Sequence, residues 1–246
     1  VRDQPEQQAP PVQRLRLHYA KRGRLRFTSH RDFSRAFERA LVRAGVPMAY
    51  SSGFHPHPRI SYAGASPTGA ASEAEYLEIG LAREMDPEEL RRLIDESLPP
   101  GLDVLEVVVA HGGSLPDRME ASHWRVRLPD VPVAEAADAV RAFLAAEEVT
   151  VERMTKRGLR TFDCRAAVVR LAVADDASAE AGCAILDTVL RHATPSVRPD
   201  DVLAGLREIS GLRTGSGALL ERLAQGPLDA EAGTVGDPLA PDRDAV

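Results

Sequence analysis

The chain has 246 residues, a formal net charge of −6 and 4% aromatic residues, long enough for two small domains with real cores. The acidic balance excludes a uniformly basic nucleic-acid binder. Two cysteines 19 positions apart, Cys164 and Cys183, exclude a disulfide framework and any C-x-x-C metal or redox site.

The start lacks the apolar core of a signal peptide and no apolar run approaches a membrane span, so a cytoplasmic protein is expected. The charge is unevenly spread. From Arg14 to Arg59 there are eleven basic residues against two acids, Asp32 and Glu38. A local positive field in an acidic chain points to a specific anionic partner.

Residues 1–12, rich in Pro and Gln, are expected to be disordered. Leu15, Leu17 and Tyr19 alternate with Arg14, Arg16 and His18, which reads as a strand with one basic face. Lys21-Arg22-Gly23 marks a turn or bulge, and Arg24 to Phe27 resumes the alternation. Ser29 then caps a helix, with Asp32 at the third helical position reaching back as in a capping box. That helix, His30 to Ala44, carries two stripes. Phe33, Ala36, Phe37, Ala40, Leu41 and Ala44 face a core. Arg31, Arg35, Arg39 and Arg43 step by four along the other side. Like charges at this spacing repel by a few tenths of a kcal/mol per pair. A ridge kept against its own repulsion points to RNA phosphate or an acidic protein face; a solvated outer helix face is the plain alternative.

Gly45-Val46-Pro47 ends the helix and delivers the chain to Tyr50-Ser51-Ser52-Gly53-Phe54-His55-Pro56-His57-Pro58-Arg59. Gly53 supplies positive φ, while Pro56 and Pro58 fix their own φ and push His55 and His57 towards extended backbone. The result is a stiff loop presenting two imidazoles, an aromatic ring, hydroxyls and a guanidinium. Rigidly held loops of this kind are where binding and chemistry concentrate. A proline-braced turn with histidines facing water is the bland alternative.

Ile60-Ser61-Tyr62 begins a strand, Gly64 to Gly69 breaks it, and Glu75, Leu77, Ile79 and Leu81 form one face of the next. Asp86-Pro87-Glu88-Glu89 starts a helix with Leu90, Leu93, Ile94 and Leu98 on one face. Leu102 to Ala110 is a final strand. The order β-α-β-β-α-β is the ferredoxin-like arrangement. Residues 112–120 read as a linker, and a similar order restarts at 121. There the sequence predicts a strand at His123–Leu128 and a helix at Ala134–Glu147. A long hairpin of Val149–Thr155 and Leu159–Ala174 follows, turning at Lys156-Arg157-Gly158, then a helix at Ala184–His192. Pro199-Asp200-Asp201 opens another short helix. No last strand is evident. Residues 214–246 read as an acidic disordered tail with one candidate helix at Ala218–Ala224. The expected class is thus α+β: two ferredoxin-like units in tandem, the first over 13–111, the second over 121–213 and incomplete, between disordered ends. Trp124, Met48 and Met154 are expected in cores.

Ser29-His30-Arg31-Asp32, the arginine-rich helix, the Tyr50–Pro58 stretch and Gly69-x-x-Ser72-x-x-Glu75 carry a family resemblance. Over roughly residues 13–212 the sequence resembles the uncharacterised bacterial radical-SAM-associated (radical-SAM-linked) proteins. The hairpin Lys156-Arg157-Gly158-x-Arg160-Thr161-x-Asp163 is similar to the same pattern. The resemblance implies a radical S-adenosylmethionine enzyme as partner, because related domains are fused to such enzymes or encoded beside them. A radical-SAM enzyme needs three closely spaced cysteines for its iron–sulfur cluster. This sequence does not supply them, so the chain is expected to accompany such an enzyme.

Four functions follow from these residues. The first is a non-catalytic accessory module that binds RNA, tRNA or ribosomal RNA. Its contacts would be Arg31, Arg35, Arg39, Tyr50, Ser51, Phe54, His55, His57, Arg59, Lys156, Arg157 and Arg160. The second is a metal-independent endoribonuclease, a look shared with the ferredoxin-like RNA-processing nucleases of CRISPR systems. His30, His55 or His57 would act as acid or base, and Arg59 or Lys156 would steady the developing charge. The third is zinc held by His55 and His57 with Glu73 or Glu75; i, i+2 histidines are not a recognised ligand spacing, so no metal and no cofactor is expected. The fourth is docking of the partner enzyme alone. Ser29 is explained as a helix cap, and Glu73 and Glu75 as strand carboxylates or partners of Arg59. Oligomeric state is not legible.

Overall fold

Alternating apolar residues in Leu15, Leu17 and Tyr19 place β1 (Gln13–Lys21) with one face against helices and the other carrying Arg14, Arg16 and His18. The computed structural model describes residues 7–155, 158–174, 182–214 and 217–245. It forms two units. The first runs to Arg118 and takes in the C-terminal residues from Pro238; the second is Met119–Asp237. Residues 1–6 of the expected N-terminal tail lie outside the described residues. At the described end of that tail the Val12 N–H already bonds to the Leu81 carbonyl at 2.8 Å.

In the first unit β1 is followed by α1 (His30–Arg43), β2 (Ile60–Ala63), β3 (Ala71–Leu81), α2 (Pro87–Ser97) and β4 (Leu102–Val109). Antiparallel pairing gives the strand order β4-β1-β3-β2. Leu17 lies opposite Leu77 of β3 and Val107 of β4. Against that face pack Phe33, Phe37, Ala40 and Leu41 of α1 and Leu90 and Ile94 of α2. Each such burial is worth about 1.5–3 kcal/mol, which is why short helices with ordinary propensity hold here. At the head of α2 the Asp86 carboxylate accepts the Glu89 N–H at 2.9 Å, with Pro87 in the first turn.

Two local expectations change. Gly23–Phe27 is a 3-10 helix rather than a resumed strand, because Gly23 takes φ +54° and leaves the ladder. Ser29 does cap α1, its hydroxyl oxygen accepting the Asp32 N–H at 3.2 Å. The Asp32 carboxylate, however, takes the Ser29 hydroxyl proton at 2.6 Å and not the backbone N–H that a capping box would use.

The second unit has β5 (Ala121–Leu128), α3 (Val133–Ala145), β6 (Thr150–Thr155), β7 (Gly158–Asp163), β8 (Val168–Val173), β9 (Ala184–Arg191), α4 (Pro199–Ser210) and β10 (Leu219–Gly226). A small hairpin of β11 (Leu228–Asp229) and β12 (Thr234–Val235) follows. Antiparallel pairing gives the order β10-β5-β9-β8. This is the order of the first unit, with the β6–β7 hairpin inserted between α3 and β8. The protein is therefore α+β, two ferredoxin-like units in tandem, and the second has its full four-stranded sheet.

Several expectations for this half are corrected. Ala184–His192 was read as a helix and is strand β9: its run of Ala184, Ile185, Leu186, Val189 and Leu190 is buried almost continuously. An apolar run of that length has no period that separates a buried strand from a buried helix. The long hairpin stops at Asp163; a 3-10 turn at Arg165–Ala167 separates it from β8. The tail expected from residue 214, with its helix at 218–224, instead contains β10. There Arg222 and Gln225 are buried and bonded to each other at 2.7 Å, with the Arg222 guanidinium over the Trp124 ring. The linker expected at 112–120 is anchored too, since Leu115 is buried. Trp124 and Met48 are buried as expected, but Met154 on the hairpin is exposed.

Gly205 marks a very close approach within the second unit. A Cβ there would stand 2.8 Å from Phe143 and 2.9 Å from both the Cys164 sulfur and Val149. Gly205→Ala is expected to destabilise the protein by about 1–3 kcal/mol through overpacking, despite alanine's better helix propensity. A denaturant midpoint equal to that of the wild type would contradict this packing.

Candidate functional site

The Tyr50–Arg59 loop is closed at its neck by backbone. Tyr50 pairs with Pro58 as an antiparallel bridge, the Ser51 N–H bonds to the His57 carbonyl at 2.8 Å, and the Arg59 N–H bonds to the Ala49 carbonyl at 2.8 Å. The Ser51 hydroxyl accepts the His57 N–H at 3.0 Å, and Arg59 Nε donates to the Tyr50 carbonyl at 3.1 Å. Ser51 is thus a brace of the loop. Gly53 takes φ +128° at the tip, a conformation open to glycine and costly for other residues. The neck is tied into the sheet, since the Gly80 N–H bonds to the Arg59 carbonyl and the Ala49 N–H to the Gly80 carbonyl. The tip stands out with Phe54 67% exposed and Tyr50 41% exposed, and with His55 and His57 also exposed.

Arg31, Arg35 and Arg39 form the predicted ridge on the outer side of α1. All three are exposed, and none makes a hydrogen bond or ion pair among the described residues. Arg43, at the end of the ridge, donates to the Ser97 carbonyl at 3.2 Å. Arg35 and Arg39, with Glu38 and Val42, line a shallow depression of about 370 Å³. No hydrogen bond or ion pair among the described residues joins this ridge to the loop.

His30 is placed apart from His55 and His57. Its ring sits edge-on against Tyr62, centroids 4.7 Å apart, and burial raises the pKa of the Tyr62 hydroxyl. His30 also lines a small cavity with Tyr19, Lys21, Ser66 and Glu75. Lys21 is 5% exposed and Glu75 2% exposed, and the Glu75 carboxylate accepts the Ser66 N–H at 3.1 Å. Gly69 is clamped to the turn before α1, its carbonyl receiving Arg26 Nε and its N–H bonding to the Arg26 carbonyl. Ser29-His30-Arg31-Asp32 and Gly69-x-x-Ser72-x-x-Glu75, far apart in sequence, therefore meet at one end of the first unit's core. Lys21 was read only as part of a turn. Its burial follows from a register shift in β1, for which the sequence carries no local signal.

Neither glutamate of the zinc alternative is available to the loop. Glu73 is bound by Arg22, and Glu75 is turned into the core. Arg59 pairs with neither among the described residues and donates instead to the Tyr50 carbonyl, so the alternative of a cross-hairpin pair does not hold.

In the second unit Arg160 is exposed on the β6–β7 hairpin opposite Arg153. Arg153 fixes the hairpin through Asp201 at 2.5 Å and the Ser196 carbonyl at 3.0 Å, and covers the Phe162 ring. Lys156 and Arg157 lie outside the described residues. Cys164 is buried, and burial, with Asp163 nearby, pushes its thiol up to about 12, so it is inert as a nucleophile.

The family described as "Uncharacterized protein conserved in bacteria (DUF2344)" matches residues 14–199. The chain belongs to this bacterial family. The DUF2344 match begins in β1 and ends at the first residue of α4, so it takes in the ridge, the loop, the buried cluster and the hairpin. It stops short of β10, the strand that the sequence also failed to reveal. A search of curated proteins gives no match.

Among solved structures, a Cbf5–Nop10–Gar1 complex is similar over 89% of this chain and 54% of that one, at 11% identity and a TM-score of 0.44. The DUF2344 chain thus spans about half the length of that relative. A protein from Galdieria sulphuraria aligns over 85% and 98% of the two chains at 16% identity and a TM-score of 0.24. The first two RRM domains of yeast poly(U) binding protein (Pub1) align over 85% and 98% at 9% identity and a TM-score of 0.20. Likenesses this loose carry no functional argument. No helix among the described residues is long and apolar enough to cross a membrane.

Proposed function

We propose that the chain is an accessory RNA-binding protein, holding a tRNA or ribosomal RNA substrate on the basic face of its first unit for a radical-SAM partner enzyme. The observation that carries this reading is the ridge. Three guanidinium groups stand exposed on one face of α1 without a hydrogen bond or ion pair among the described residues, where each four-residue step costs a few tenths of a kcal/mol in repulsion. An RNA backbone supplies the missing counter-charge as forked phosphate contacts. The rigid loop adds Phe54 and Tyr50 as exposed rings for stacking on unpaired bases. The partner enzyme enters through the family resemblance of the motifs.

Binding of tRNA and ribosomal RNA fragments over a salt series tests this. Three phosphate contacts predict a log–log slope of about −2 to −3, with the RNA left intact. Replacing Phe54 with alanine is expected to weaken binding by about 1–3 kcal/mol if the ring stacks on a base. No RNA binding at low salt would sink the reading and leave docking of the partner enzyme.

Cleavage of RNA is a second reading, and one observation favours it. Of the three candidate histidines, His30 lines a small cavity with the buried Lys21 and the buried Glu75. In this reading His30 takes the proton of a ribose 2′-OH as that oxygen attacks the phosphorus. The departing 5′-oxygen takes its proton from solvent water, and a 2′,3′-cyclic phosphate remains. Loss of cleavage in His30→Ala but not in His55→Ala/His57→Ala would support it; RNA that stays intact with the wild type would remove it.

A further inference from the structure

The sheet face of the first unit that turns away from its helices carries a second cationic feature, which the ridge does not use. Arg14 on β1 and Arg59 at the foot of the loop both line a cleft of about 280 Å³, together with Ser61, Glu78 and Gly80. That cleft shares Pro11, Arg14, Ser61 and Glu78 with a larger one of about 780 Å³ reaching Gly112, Gly113 and Ser114. These volumes are those of a small-molecule site.

The walls are fixed before any ligand arrives. Arg16, fully buried, donates Nε to Glu78 at 2.9 Å and Nη2 to the carbonyls of Gly112 and Gly113 at 3.1 and 2.5 Å. The carboxylate on the floor and the glycine segment on the far wall are therefore held by one guanidinium, which lowers the ordering cost of binding. Gly80 permits the narrow end. A Cβ there would meet Pro11 Cβ at 3.0 Å and Arg59 Cβ at 3.3 Å.

Charge then decides the ligand. Arg16 and its neighbour Arg118 are balanced by Glu78 and Asp242. Arg14 is exposed and comes no closer than 4.0 Å to Glu78, and Arg59 has only the Tyr50 carbonyl. The cleft is left with two under-neutralised guanidinium groups at one end, a fork suited to phosphate. Beside them Pro11 and Val12 line the cleft with apolar surface, and Ser61 and Glu78 line it with a hydroxyl and a carboxylate of the kind that bonds sugar hydroxyls.

We propose that this cleft binds a 5′-phosphorylated nucleoside, with its phosphate between Arg14 and Arg59. Such a group arrives as a free mononucleotide or as the 5′ end of an RNA; only the second source rests on the RNA reading above. Isothermal titration of the full chain tests it with AMP, GMP, CMP and UMP, the four matching nucleosides and inorganic phosphate. A short RNA carrying either a 5′-phosphate or a 5′-hydroxyl completes the set.

At least one mononucleotide is expected to bind tenfold or more tightly than its nucleoside and than inorganic phosphate. Arg14→Ala/Arg59→Ala loses that tenfold at an unchanged melting temperature, and Ser61→Trp, at an exposed strand position, blocks the cleft with the same loss. A 5′-phosphate preference with RNA identifies an RNA end; its absence with RNA beside mononucleotide binding identifies the free nucleotide. Arg35→Glu/Arg39→Glu keeps mononucleotide affinity whether or not it loses RNA, so the two readings fail separately. The proposal is overturned if no mononucleotide binds at millimolar concentration, or if nucleotide, nucleoside and phosphate bind alike. Wild-type affinity in both cleft variants overturns it as well.

Discussion

Asp242→Ala is expected to destabilise the first unit by about 3–5 kcal/mol, the cost of leaving a buried charge without its partner. The Asp242 carboxylate is fully buried. Arg16 Nη1 donates to both of its oxygens at 2.8 and 2.9 Å, and Arg118 Nη1 donates at 2.7 Å. Arg118 Nη2 at 3.3 Å and the His111 N–H at 2.8 Å also donate to it. Removing the carboxylate leaves Arg16 in the interior with Glu78 alone against two guanidinium groups. Denaturant unfolding of the full chain, followed by a probe in each unit, should show the first unit's transition moved to lower denaturant and the second unit's kept. An unmoved first transition would mean that Asp242 does not anchor Arg16.

The same residue sets a pH dependence. Burial by itself raises the Asp242 pKa, but the hydrogen bonds from Arg118, His111 and Arg16 outweigh it and leave the group below its ordinary value of 3.8. A carboxyl depressed on folding contributes stability that is complete above the unfolded value and is lost as pH falls through the folded one. The wild type is therefore expected to lose stability in acid below about pH 4, and Asp242→Asn to show a flatter profile over that range. Parallel profiles would refute the assignment.

How legible all this was depends on whether the deciding contact is local. Helix α1 declared itself because Phe33, Phe37, Ala40 and Leu41 repeat at helical spacing, and all four are buried. The loop's stiffness was readable from Gly53, Pro56 and Pro58, each acting on its own backbone. Strand β9 was misread because nothing in an unbroken apolar run sets a period. Strand β10 was missed for the opposite reason. Arg222 and Gln225 look like tail residues until Trp124, about a hundred positions away, gives them a surface to cover. Asp242 is 226 residues from Arg16, and no window of sequence contains both. The site divides the same way. The ridge and the loop tip are properties of single segments, whereas the meeting of Lys21, Glu75 and His30 exists only once β1 has paired with β3.

Reversing two ridge charges, Arg35→Glu/Arg39→Glu, is expected to weaken RNA binding by roughly 100-fold at low salt and to flatten the salt slope by about 2. The two effects test different things. A drop in affinity alone could come from a damaged fold, but a shallower slope counts phosphates released from contact. The fold should tolerate the change. Both side chains are exposed and make no bonds among the described residues, and the double reversal leaves one like-charge step along α1 where the wild type has three. The melting temperature should hold or rise slightly. If the slope stays at its wild-type value, the phosphates lie elsewhere, and the loop and the cleft at Arg14 and Arg59 become the place to look. If affinity and slope both survive, the ridge faces a protein. The measurement then moves to whether the same variant still captures the radical-SAM partner, because an acidic surface and an RNA backbone meet three unpaired guanidinium groups by the same physics.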